Sequence, residues 1–141
     1  MKTKTEIETV KANALQLFLG CADIGEAQKL INEGNYLVLD DNEATEKAKE
    51  YILDSLWAFN YNFLCGHSKA INEIPKKEYE EMAGKLCESF NKAVHAMIDD
   101  IDYFIEDAIR ADGRGHFLSG YDGEENEILV SKKAYYIYRI N

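Results

Sequence analysis

The chain has 141 residues and carries 26 acidic against 16 basic side chains, a net charge of −10 with a pI near 4.7. That length suits one ordinary domain rather than two independent cores, and 46% hydrophobic with 11% aromatic residues excludes a wholly disordered chain. Charge of this sign repels phosphate, so nonspecific binding to DNA, RNA or anionic lipid is disfavoured. Such a surface attracts basic proteins instead, including those that hold nucleic acid.

The opening, Met1 to Glu6, is polar and mixed in charge, and the longest apolar run near it is Leu15-Gln16-Leu17-Phe18-Leu19. That run is too short for a leader core or a membrane span, so the expected location is the cytoplasm. Residues 5–19 then place Ile7, Val10, Ala14, Leu17 and Phe18 at helical spacing before Gly20. A second helix is expected over 23–33, capped by Asp23 and ended by Gly34, with Ala27, Leu30 and Ile31 inward. Tyr36-Leu37-Val38-Leu39 fits a strand or an extended connector. Four residues are too few for periodicity to separate the two.

Asp40 and Glu43 form a capping-box pattern, and a broad helical stripe follows: Ala44, Ala48, Tyr51, Ile52, Ser55, Leu56, Phe59 and Phe63, widened by Leu53, Trp57 and Leu64. One long helix ending at Gly66 is the simplest reading. Pro75 opens a second and longer pattern over 76–110, with apolar residues from Tyr79 through Ile105 and Ala108 at 3-4 spacing and Gly84 in its middle. After Gly113 the composition turns β-rich: His116-Phe117-Leu118-Ser119, Ile128-Leu129-Val130 and Tyr135 to Ile140, the last two joined through Ser131-Lys132-Lys133. The expected fold is therefore α+β and mostly helical. Two long helices occupy residues 1–112 together with shorter N-terminal ones, and a small antiparallel β meander occupies 113–141, all in one domain over 1–141.

The charge is unevenly spread. Residues 99–127 hold ten acids against Arg110 and Arg114, which contributes −8 of the −10. On a continuous helix Asp99, Asp102 and Glu106 share one face, with Asp100 and Asp107 in a neighbouring row. Carboxylates so placed repeat at roughly 5–6 Å, close to the spacing of phosphates along a nucleic-acid strand. Two readings compete. A solvated acidic face that keeps the protein soluble carries more weight from composition alone; in the other, the rows imitate a phosphate backbone in a partner's basic groove. Acids late in a helix oppose its dipole, a penalty that mildly favours a use for the charge. Asp99, Asp100, Asp102, Glu106, Asp107, Glu124 and Glu125 are thus the candidate partner-binding residues.

Catalytic and metal chemistry find less support. Cys21, Cys65 and Cys87 are odd in number, form no CxxC, and read as buried reduced thiols. There is no HExxH and no calcium-loop spacing, and neither a metal nor a cofactor is expected. His95 reads as a surface partner of Asp99, and Cys65-Gly66-His67 lacks a second cluster to complete a metal site. The best catalytic candidate is Asp112-Gly113-Arg114-Gly115-His116, where glycines admit a ligand and Asp112, Arg114 and His116 offer acid-base and anion-binding groups. Arg114, Arg139, Lys132 and Lys133 are the only basic cluster that could hold a small anionic nucleotide.

Two runs carry a resemblance. Tyr36 to Ala44 with Ser55 to Asn60, and Ala111 to Ser119 with Tyr121 to Glu125 and Tyr136 to Asn141, look like phrases from small acidic proteins of bacteriophages and mobile elements. The likeness spans roughly residues 36–65 and 98–141. It implies a context in which inhibitors of restriction and CRISPR nucleases occur, several of them DNA mimics. The expectation is a non-enzymatic inhibitor that binds a basic, nucleic-acid-handling host protein in the bacterial cytoplasm, without touching nucleic acid or membrane. Homodimerisation stays open. The alternatives are a small enzyme acting on a nucleotide or phosphate ester through Asp112, Arg114 and His116, and a sponge for a signal nucleotide.

Overall fold

Capping at both ends defines the first helices. In the computed structural model, which describes residues 3–141, Thr3 and Glu6 form a capping box that starts α1 (Lys4–Leu19), and Gly20 ends it at φ 71. Met1 and Lys2, at the head of the polar opening, lie outside the described residues. Asp23 caps α2 (Ile24–Asn32) through the Gly25 N–H. Tyr36–Leu39 is a strand, β1, and the Asp40–Glu43 pair then caps α3 (Asp41–Asp54) reciprocally, with N–H to carboxylate distances of 3.1 and 2.8 Å. No helix among the described residues is long and apolar enough to cross a membrane.

The two long helical patterns are each cut. The first ends at Asp54 and continues as a 3-10 turn, Leu56–Ala58, and then α4 (Tyr61–Cys65). Ser55 Oγ bonds back to Tyr51 O at 2.7 Å, and the Asn91 side chain takes over the missing main-chain bonds. It donates to Asp54 O at 2.6 Å and accepts from Trp57 N–H at 2.9 Å. Asn60 caps α4. After α5 (Lys69–Asn72), the second pattern becomes α6 (Lys76–Leu86), a 3-10 turn at Cys87–Phe90, α7 (Asn91–Met97) and α8 (Ile101–Asp112). Cys87 breaks it at φ 51, ψ −129. The second break is tied to the chain before α5: Ser68 Oγ bonds to Met97 O at 2.6 Å, and Asp99 N–H bonds to His67 O at 2.9 Å. A 3.6-residue apolar period survives these interruptions because each segment keeps its inward face.

The tail also differs from the expected meander. His116–Ser119 is not a strand; α9 (Arg114–Leu118) occupies it, entered through Gly113 at φ 83. β2 (Asn126–Val130) and β3 (Lys133–Arg139) form a hairpin, and the third strand of the antiparallel sheet is β1, in the order β1-β3-β2. Tyr36 pairs with Arg139 and Leu39 with Tyr136, so the central strand is the last one in sequence.

The chain divides into two units: residues up to Ala48 with Asp112–Asn141, and Lys49–Ala111. In the first, Ala14, Leu15, Ala27, Val38, Tyr135 and Ile137 form a core, with Val10, Leu30 and Ile128 packed against it. Tyr138, on the opposite face of β3, is also fully buried, so this strand is covered on both sides. In the second, Ile52, Leu56, Leu64, Ile71, Tyr79, Val94 and Phe104 are among the fully buried side chains. The expected uniform burial of the cysteines is corrected: Cys87 is exposed, Cys21 and Cys65 are partly so, and all three are free thiols.

Candidate functional site

The carboxylates divide between the two units, and they are not one helix row. Asp99 and Asp100 precede α8, which begins at Ile101. Asp100 is its cap, accepting from Tyr103 N–H at 3.2 Å, while Asp99 accepts from Lys69 N–H at 3.3 Å. The helix dipole therefore acts on these acids in the opposite sense to that expected from the sequence. Asp99, Asp100 and Asp102 sit where the helix dipole favours negative charge, and they support α8.

Exposure separates these acids by role. Asp99, Asp100, Asp102 and Glu106 face solvent. Asp102, with a side chain 80% exposed, has Lys49 Nζ 4.0 Å away, a pair worth little in water. Asp107 is engaged. Its Oδ2 meets His67 Nε2 at 2.7 Å and its Oδ1 lies 3.6 Å from Arg110. His67 is buried, ringed by Phe63, Tyr103 and Phe104 at centroid distances of 5.1 to 5.2 Å. The sequence placed His67 beside Cys65 as a weak metal candidate, whereas its partner lies 40 residues on. Among the described residues no group of His, Cys, Asp and Glu is arranged to hold a metal ion.

In the first unit Glu124 is exposed, but Glu125 is committed to Arg114. The Arg114 side chain is only 11% exposed, and its Nε donates to Glu125 Oε1 at 2.7 Å. Nη1 donates to Asp41 Oδ1 at 2.9 Å, to Asp41 O at 3.0 Å and to Thr45 Oγ1 at 3.1 Å. The guanidinium carbon lies 4.5 Å above the Tyr136 ring, a cation–π contact. Burial alone would lower its pKa, but the bonds to Glu125 and Asp41 outweigh this and raise it further. The Tyr138 hydroxyl, held by burial and by Glu125 at 2.5 Å, is pushed well above the ordinary tyrosine range.

This network changes the reading of the Asp112–His116 segment. Arg114 is turned into the protein and joins α9 to α3 and to the chain before β2. Asp112 and His116 are exposed, and His116 stacks edge-on against Phe117 at 5.0 Å. Gly115 is there for packing: a Cβ on it would lie 2.5 Å from Gly123 O. Among the basic residues proposed for an anion site, Arg139 covers the Tyr121 ring at 3.7 Å and Lys133 lies 3.6 Å from Asp40. Sequence reading misses the Arg114 network because Asp41 and Thr45 lie 73 and 69 residues away.

No protein-family model, curated protein or solved structure matches this chain.

Proposed function

We propose that this is a non-enzymatic binding protein that docks a basic, nucleic-acid-handling partner through the exposed carboxylates at the start of α8. The observation that carries this reading is the solvent exposure of Asp99, Asp100, Asp102 and Glu106, against which the described residues set one ion pair, Lys49 with Asp102 at 4.0 Å, in a chain of net charge −10. The surface is narrower than the sequence implied, since Asp107 and Glu125 are spoken for by His67, Arg110, Arg114 and Tyr138. A field of this sign raises the encounter rate with a cationic groove and makes the association salt-dependent. The likeness to small acidic phage proteins makes a restriction or CRISPR nuclease of the host the natural partner, with the acidic face standing in for DNA.

The experiment is capture from bacterial lysate at about 50 mM and about 500 mM salt, with the Asp99→Asn/Asp102→Asn/Glu106→Gln variant alongside. Capture that is lost at high salt and in the variant, with the variant still folded, supports the reading. Equal capture by the variant would place the contact elsewhere on the molecule.

A further inference from the structure

We infer that the open edge of β1 takes up an extended, positively charged peptide segment as a fourth strand of the sheet. The register fixes which main-chain groups are available. Ile140 N–H bonds to Asn35 O at 2.9 Å, and Tyr36 lies opposite Arg139. Antiparallel pairing alternates, so Leu37 and Leu39 bond inward to β3, while the N–H and C=O of Tyr36 and Val38 point away from it. β1 ends the strand order β1-β3-β2, and among the described residues nothing bonds to those four groups. Yet Val38 is only 3% exposed. Main-chain groups so nearly buried are paired in almost every native structure. Another extended chain supplies donors and acceptors at the matching repeat.

A groove of about 570 Å3 lies against this strand, walled by Thr9 of α1 and by Gln28 and Ile31 of α2, with Leu37 to Leu39 as its third side. Its volume is within the range of ligand clefts. Val38 belongs to the core that the sheet shares with Ala14 and Ala27 of the two helices. A peptide residue paired with Val38 therefore sends its side chain to the same face, towards α1 and α2, where an apolar group is suited. The charge of the segment follows from the lining. Lys11 is tied to Glu43 at 2.8 Å, whereas Glu8 is exposed and meets the exposed Lys4 at 4.0 Å. In a chain of net charge −10, a cationic segment is attracted and a second copy of this chain is repelled. Edge strands are normally blunted by charge, proline or a bulge. β2, at the other edge, carries the exposed Glu127, but the Tyr36–Leu39 strand has no such guard.

No residue of α8 takes part, so this site and the acidic face hold or fail separately. The probe is a displayed library of random decapeptides panned against the full chain, the recovered peptides then being synthesised and titrated. They are expected to be net positive, to place apolar residues at alternate positions, and to saturate below about 100 µM. In amide hydrogen exchange, saturating peptide should slow Tyr36 and Val38 about tenfold, while Leu37 and Leu39, already bonded to β3, change less. Thr9→Trp, at an exposed position of α1, fills the groove and should weaken binding about tenfold with the melting temperature unchanged. The Asp99→Asn/Asp102→Asn/Glu106→Gln variant should bind the same peptides with unaltered affinity. The site is overturned if no peptide saturates, if Tyr36 and Val38 gain no protection, if Thr9→Trp binds normally, or if the triple variant loses binding. It is equally overturned if, without peptide, rising protein concentration protects Tyr36 and Val38 and yields a dimer in sedimentation, since a second copy would then be the occupant.

Discussion

Arg114 shows how a side chain that looks catalytic in sequence becomes a structural tie. Its guanidinium makes four hydrogen bonds and one ring contact while almost wholly out of water. Removing one partner of a buried ionic network leaves the others uncompensated. Arg114→Met is expected to cost about 3 kcal/mol in chemical denaturation, and Arg114→Lys more than half of that, because a lysine cannot reproduce the fork. A loss near zero would mean that the network is a surface decoration. Asp40 offers a test by pH. Burial works to raise its pKa, but the Glu43 N–H and Lys133 prevail and lower it below the ordinary 3.8. A depressed carboxylate adds stability that is fully present above its unfolded value and is lost as pH falls through the folded one. The urea midpoint should therefore decline as pH drops below 3.8, and Asp40→Asn should flatten part of that decline. The same variant should cost about 1 kcal/mol at neutral pH through the weakened cap.

At the scale of elements, local signals were legible and tertiary ones were not. The stops at Gly20 and Gly34, the Asp23 cap and the Asp40–Glu43 box were readable because each acts within four residues. The breaks after Asp54 and after Met97 were not, since they depend on Asn91, Ser68 and His67 reaching across 29 to 37 residues. The third strand was ambiguous for a related reason: Tyr36–Leu39 becomes a strand by pairing with residues a hundred positions later. The β2–β3 turn carries a stability prediction. Ser131 and Lys132 both have positive φ, 52 and 69, the signature of a type I′ turn that favours Asn-Gly. Ser131→Asn/Lys132→Gly should therefore stabilise the protein by about 1 kcal/mol, raising the melting temperature by about 3 °C. Unchanged or lowered melting would show that the turn carries no conformational strain.

At the scale of the whole molecule, the acidic excess is partly explained by stability. Asp99, Asp100 and Asp102 favour the start of α8, and Asp107 and Glu125 complete internal pairs. The same carboxylates at the start of α8, with Glu106, also face solvent, in a chain with an excess of ten acids. Candidate residues were legible in the sequence by composition alone, but their division into engaged and free needed the partners His67, Arg110 and Arg114. The central claim is that the outward carboxylates of residues 99 to 106 occupy a groove that otherwise holds nucleic acid. The most direct measurement is competition: the captured partner is titrated with duplex DNA while bound to this protein at low salt. Mutual exclusion is predicted, with the Asp99→Asn/Asp102→Asn/Glu106→Gln variant failing to displace DNA. A stable ternary complex of partner, DNA and this protein would contradict it.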